Sequence, residues 1–133
     1  MVEVVVEVEV RPSEDIEKVK KALSTVVDMS DFTVEELVKG FRVLRVKCGR
    51  VECLEPLRNA IRIQQIEPAT RSYLSRRREK GLLTILLHKQ AAFAGKVSLL
   101  DSDRESPLGP IRITIYGTDE EIEEIVDYLT SGD

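Results

Sequence analysis

Residues 88–113 read HKQAAFAGKVSLLDSDRESPLGPIRI, and the rest of the chain is arranged around them. Lys89, Gln90 and Lys96 flank a small apolar knot, AAFAG at 91–95. A short apolar strand follows, then an acidic loop with Asp101, Asp103 and Glu105, then the corner Pro107-Leu108-Gly109-Pro110. Gly109 serves that turn and the prolines stiffen it. Apolar strands at 82–87 and 111–115 lie on either side. A basic loop therefore projects from the end of a strongly apolar strand, next to a basic helical region.

Both flanking strands carry fold information. Segment 111–115 alternates Ile111, Ile113 and Ile115 with Arg112 and Thr114, the period-two signature of one buried face. Segment 82–87 is apolar on both sides and is expected to lie centrally in its sheet. Valines 2, 4, 6, 8 and 10 alternate along the N-terminus in the same way, until Pro12 ends the strand. Ser13 is positioned to cap a helix carrying Ile16, Val19, Leu23 and Val26. Segments 32–38 and 41–48 pair as a hairpin around Lys39-Gly40. The apolar parity changes between Phe41, Val43 and Leu44, Val46, Cys48, which predicts a bulge or a strand covered on both faces.

Residues 52–66 read as a helix with Pro56 in its first turn. Pro68 breaks or kinks that rod and begins a second helix, 68–79, in which Tyr73 faces the core. Thr118 with Glu121 forms a capping box for a last helix. Its inward stripe is Ile122, Ile125, Val126 and Leu129, and its acidic face is solvated. This order predicts a single α+β domain over 1–133, a mainly antiparallel sheet with helices on one face. If strand 82–87 is buried on both sides, the other sheet face needs a cover, and a homodimer would supply it.

With 42% apolar and 33% charged residues, the 133-residue chain has a balance suited to one globular core. The longest strongly apolar run, six residues at 82–87, is far too short to cross a bilayer. The acidic, valine-rich start does not read as a leader, so the expected location is cytoplasmic. Cys48 and Cys53 are the two cysteines; ordinary thiols are expected, with a disulfide as the alternative. Two thiols and His88 do not make a tetrahedral zinc site.

The motifs KQAAFAGK and PLGPIRI, with the aspartates at 101 and 103, resemble the signature of the archaeal UPF0201 family, part of the DUF54 group. The resemblance extends to VECLEPLR at 51–58 and to the N-terminal strand and helix. It implies a ribosomal protein L5-like fold and RNA binding.

Charge is unevenly spread. Residues 1–38 carry a net of −6, residues 39–96 a net of +10, and residues 97–133 a net of −8. A basic middle between acidic ends can make a one-faced field if folding keeps the signs apart. The candidate nucleic-acid-binding residues are Arg58, Arg62, Arg71, Arg76, Arg77, Arg78 and Lys80, extended by Lys89, Gln90 and Lys96. Arginine forks onto phosphate oxygens, and such a helical surface suits the backbone and shape of structured RNA. Six Phe and Tyr and no Trp argue against reading single strands by sheet stacking. Gly95-Lys96 is no phosphate loop, because residue 90 is Gln and residue 97 is Val. The lone His88 has no nucleophile in view and reads as structural. The acidic loop lacks cation-binding spacing. No enzyme, cofactor or metal is expected. The alternative reading is a non-enzymatic protein-interaction or dimeric structural module. A basic surface uninterrupted by Asp or Glu would favour RNA, and an exposed apolar sheet face would favour the alternative.

Overall fold

A computed structural model describes residues 2–106 and 108–131, apart from the side chain of Asp103. Pro107, part of the expected corner, lies outside the described residues. Six strands form one antiparallel sheet: β1 (Glu3–Val10), β2 (Phe32–Glu36), β3 (Arg42–Cys48), β4 (Arg78–Glu79), β5 (Leu82–Leu87) and β6 (Ile111–Tyr116). Their order is β2-β3-β1-β6-β5-β4. The helices are α1 (Ile16–Ser24), α2 (Glu55–Gln64), α3 (Glu67–Arg77), α4 (Lys89–Phe93) and α5 (Asp119–Thr130).

The valine alternation fixes the centre. Val4, Val6, Val8 and Val10 are fully buried on one face of β1. Val6 lies between Val46 of β3 and Ile113 of β6, and Val8 between Leu44 and Ile111. Fully burying such a side chain contributes about 1.5–3 kcal/mol, so a one-residue slip of this strand would be prohibitive. Leu23, Leu57, Ile61, Leu74, Ile122, Val126 and Leu129 complete the core from the helices. The capping box and inward stripe of α5 are as the sequence predicts.

Several local expectations are corrected. Asp15, not Ser13, caps α1; its carboxylate accepts the Glu17 N–H at 2.9 Å. The β1–β3 and β2–β3 pairings run in unbroken register, without the expected bulge. Phe41 lies just before β3, beside a turn in which Lys39 and Gly40 take φ of 51° and 87°, and it continues the β2–β3 register opposite Leu37. The 52–66 rod begins as a 3-10 turn, Val51–Leu54, and α2 stops where Gln65 turns left-handed at φ 57°. Cys48 and Cys53 are joined by a disulfide, since the turn at Gly49-Arg50 folds the end of β3 back toward that 3-10 turn.

Strand β5 is not central. β6 separates it from β1, and β4 pairs only with Leu82 and Leu83. Its apolar outer edge is covered by the chain itself: the Leu86 N–H donates to the Tyr73 hydroxyl, and the Leu100 N–H to the Leu86 carbonyl. The far face of the sheet is a mixed polar surface. Arg45 bridges Glu7 at 2.8 Å and Glu35 at 3.1 Å there, and those carboxylates raise its pKa above the usual guanidinium value.

Candidate nucleic-acid interface

Helix α3 projects its arginines toward α5 and the acidic loop. Arg71 meets Asp127 at 2.8 Å and Glu123 at 3.2 Å, and donates to the Thr130 hydroxyl at 3.0 Å. Arg78 pairs with Glu123 and donates to the Asp119 carbonyl. Arg77 donates to the carbonyls of Asp101 at 2.7 Å and Thr84 at 3.3 Å, while Arg76 reaches the Asp101 carboxylate at 3.5 Å. Both guanidinium groups approach the ring of buried Tyr73, at 5.6 and 5.9 Å. On α2, Arg58 donates to the Tyr128 carbonyl at 2.8 Å and lies over the Tyr128 ring, and Arg62 is half-buried. The basic middle and acidic end thus interleave along this rim, and acidic side chains interrupt the row of arginines.

Lys89 is an interior residue. Its ammonium donates to the Glu9 and Leu108 carbonyls at 2.7 Å each and to both Glu14 oxygens at 3.1 Å. Burial pulls its pKa below the usual lysine value, and the Glu14 carboxylate opposes that shift. One cation therefore ties β1, the start of α1 and the 108–110 corner together, and Lys89 is withdrawn from any surface. It opens α4, so half of the expected basic loop is a helical turn. The single histidine, His88, accepts the Ala91 N–H through Nδ1 at 3.2 Å as the cap of that turn.

Lys80, Gln90 and Lys96 keep their polar ends in solvent. The fold adds two cations to Gln90 and Lys96. Helix α1 packs against α4, and Lys21 lies 4.8 Å over the ring of Phe93. Lys18, Val19, Ala22, Gln90, Phe93 and Leu108 line one cleft of about 370 Å³. Of the two carboxylates there, Glu14 is held by Lys89 and the Arg11 N–H, and Asp15 by its helix cap. The helical period of α1 already turns Lys18 and Lys21 outward in sequence. Only packing brings them beside residues 88–96.

A family model described as RNA binding matches residues 3–116. A UPF0201 protein of Metallosphaera sedula is 39% identical over 129 residues, covering 97% of this chain and 87% of that protein. The chain belongs to the archaeal UPF0201/DUF54 family. A second UPF0201 protein, from Aeropyrum pernix, is 38% identical across 96% of this chain and 84% of its own. The crystal structure of the UPF0201 protein from Methanococcus jannaschii superposes with a TM-score of 0.81 at 28% identity, covering 96% of this chain and 92% of that one. A DUF54 protein from Methanothermobacter thermautotrophicus gives 0.62 at 25% identity, covering 96% of each chain. The α+β architecture described here is thus that of UPF0201 structures. Among the described residues, no helix of this UPF0201 chain is long and apolar enough to cross a membrane.

Proposed function

We propose that this chain is a ribosomal protein L5-like module of the cytoplasm that binds structured RNA without catalysing a reaction. The observation that carries the reading is the RNA-binding family model spanning residues 3–116. Contact is assigned to the face joining α1 to residues 88–96, through Lys18, Lys21, Gln90 and Lys96. Lys80 and the exposed Arg71 and Arg76 extend it along the rim of α3. The cations of the α1 face suit phosphate because Lys18 and Lys21 are exposed. The α3 arginines must first give up carboxylate partners, which costs part of what a phosphate contact gains.

The test is a titration of an RNA hairpin and a duplex DNA by fluorescence anisotropy across a salt series. RNA is expected to bind more tightly than DNA, with affinity falling as salt rises. The variant Lys18→Ala/Lys21→Ala/Lys96→Ala should flatten the log–log salt slope by roughly 2–3, at about 0.7–0.9 per lost phosphate contact. Failure of the wild-type chain to bind, or attraction indifferent to polymer and to these substitutions, refutes the reading. A second reading, a protein-interaction or dimeric module, is favoured by the exposed apolar β2–β3 hairpin.

A further inference from the structure

We propose that two copies of this chain pair through strand β2, antiparallel about a two-fold axis at Val34, joining their sheets into one. The inference is independent of RNA binding. Strand β2 ends the sheet, and all five of its residues are exposed. Its helix-side residues continue the core: Phe32 stands across from buried Val46, and Val34 across from buried Leu44. Yet Phe32 is 38% exposed and Val34 43%, followed by Leu37 at 48% and Val38 at 70%. Phe32 and Val34 form an apolar helix-side edge that ends at Glu36, of the kind that soluble sheets otherwise blunt with lysine, proline or a bulge. β2 carries none of these.

The backbone selects the register. Leu37 donates its N–H to Phe41 at 2.8 Å, in step with the β2–β3 ladder. Hydrogen-bonding direction alternates along a strand, so odd-numbered residues address β3. Phe32, Val34 and Glu36 therefore point their N–H and C=O groups at the free edge. A two-fold axis at Val34 pairs that residue with its own copy and sets Phe32 opposite the partner's Glu36, so every outward group meets one of its own kind of ladder site.

The charges fit this register. Neither Glu36 nor its cross-strand neighbour Arg42 forms an ion pair among the described residues. Lys20 sits on the helix side with its ammonium 5.0 Å from the Phe32 ring and 3.2 Å from the exposed Glu17 carboxylate, a pair that a second carboxylate at Phe32 would share. Pairing brings the partner's Glu36 beside Phe32 on that same side, beneath Lys20, and the two-fold axis repeats the contact. Glu35, on the opposite face, is already held by Arg45. The antiparallel register keeps the two Glu36 side chains at opposite ends, so the acidic end of one strand meets a basic site rather than its own image.

Sedimentation velocity across a wide concentration series, with circular dichroism as a check of folding, tests the proposal. The wild-type chain should show a concentration-dependent dimer, and Val34→Lys should remain monomeric with an unchanged spectrum. Glu36→Lys and Lys20→Glu should each weaken the dimer by roughly tenfold, the scale of two exposed ion pairs, and the double variant should recover it. Recovery is a readout that a merely destabilised strand would not give, and it stands even if Val34→Lys fails to fold. A wild-type monomer at every concentration, a dimer that survives Val34→Lys, or a double variant that does not recover overturns the proposal. An edge that captures a strand of another protein while the chain itself stays monomeric overturns it equally.

Discussion

Tyr73 finishes an edge that β4 covers only at Leu82 and Leu83. Its hydroxyl accepts the Leu86 N–H at 3.0 Å and donates to the Leu100 carbonyl at 2.6 Å, and its ring is buried. Burial raises the phenol pKa above its usual value. Tyr73→Phe keeps the ring and strands both backbone groups, so it should cost about 1–3 kcal/mol. Urea denaturation measures this, and a change within error would mean that water replaces the hydroxyl. The inward position of Tyr73 is legible from helical spacing. Its two partners, 13 and 27 residues away, are not. Lys89 makes the same point. In sequence it is one lysine in a basic stretch, and only the meeting of Glu9, Glu14 and Leu108 turns it into a buried staple.

Elements defined by short-range chemistry were the most readable. The Thr118 hydroxyl accepts the Glu121 N–H at 3.1 Å, and the Glu121 carboxylate returns to the Thr118 N–H at 2.9 Å. Both partners lie three residues apart, so the motif is complete in the sequence. Thr118→Ala should cost about 1 kcal/mol and fray the first turn of α5, which amide hydrogen exchange at Glu120 and Glu121 would report. An unaltered exchange rate there would show that packing alone holds that turn. The bulge expected in β3 is absent because Leu44 and Val46 alone carry its buried face, while half-buried Val43 lies on the opposite one. The central placement of β5 failed for a different reason. Apolar residues on both faces show that a strand is covered, but not whether another strand, a tyrosine or a returning loop covers it.

At the scale of the whole molecule, the charge segregation read along the chain does not survive folding on the α3 rim. Arg71 and Arg78 bind α5, and Arg77 binds β5 and the acidic loop. The variant Arg76→Ala/Arg77→Ala/Arg78→Ala should therefore lose about 1–2 kcal/mol of stability, mostly through the lost guanidinium–carbonyl bonds. A thermal melt run beside the RNA titration checks this. An unchanged melt would return these arginines to the role of free surface cations. The sequence by itself determined the α+β class, the one-sided burial of the valine strand, the hairpin, the α5 cap and membership of the UPF0201 family. Each of these follows from residues two to four positions apart, or from extended similarity along the chain. Tertiary structure decided which cations are spent inside the fold, that Lys18 and Lys21 stand beside residues 88–96, and that the apolar edge of β2 is left open. Charge and apolarity are properties of residues, but their availability depends on partners that the chain brings from far away.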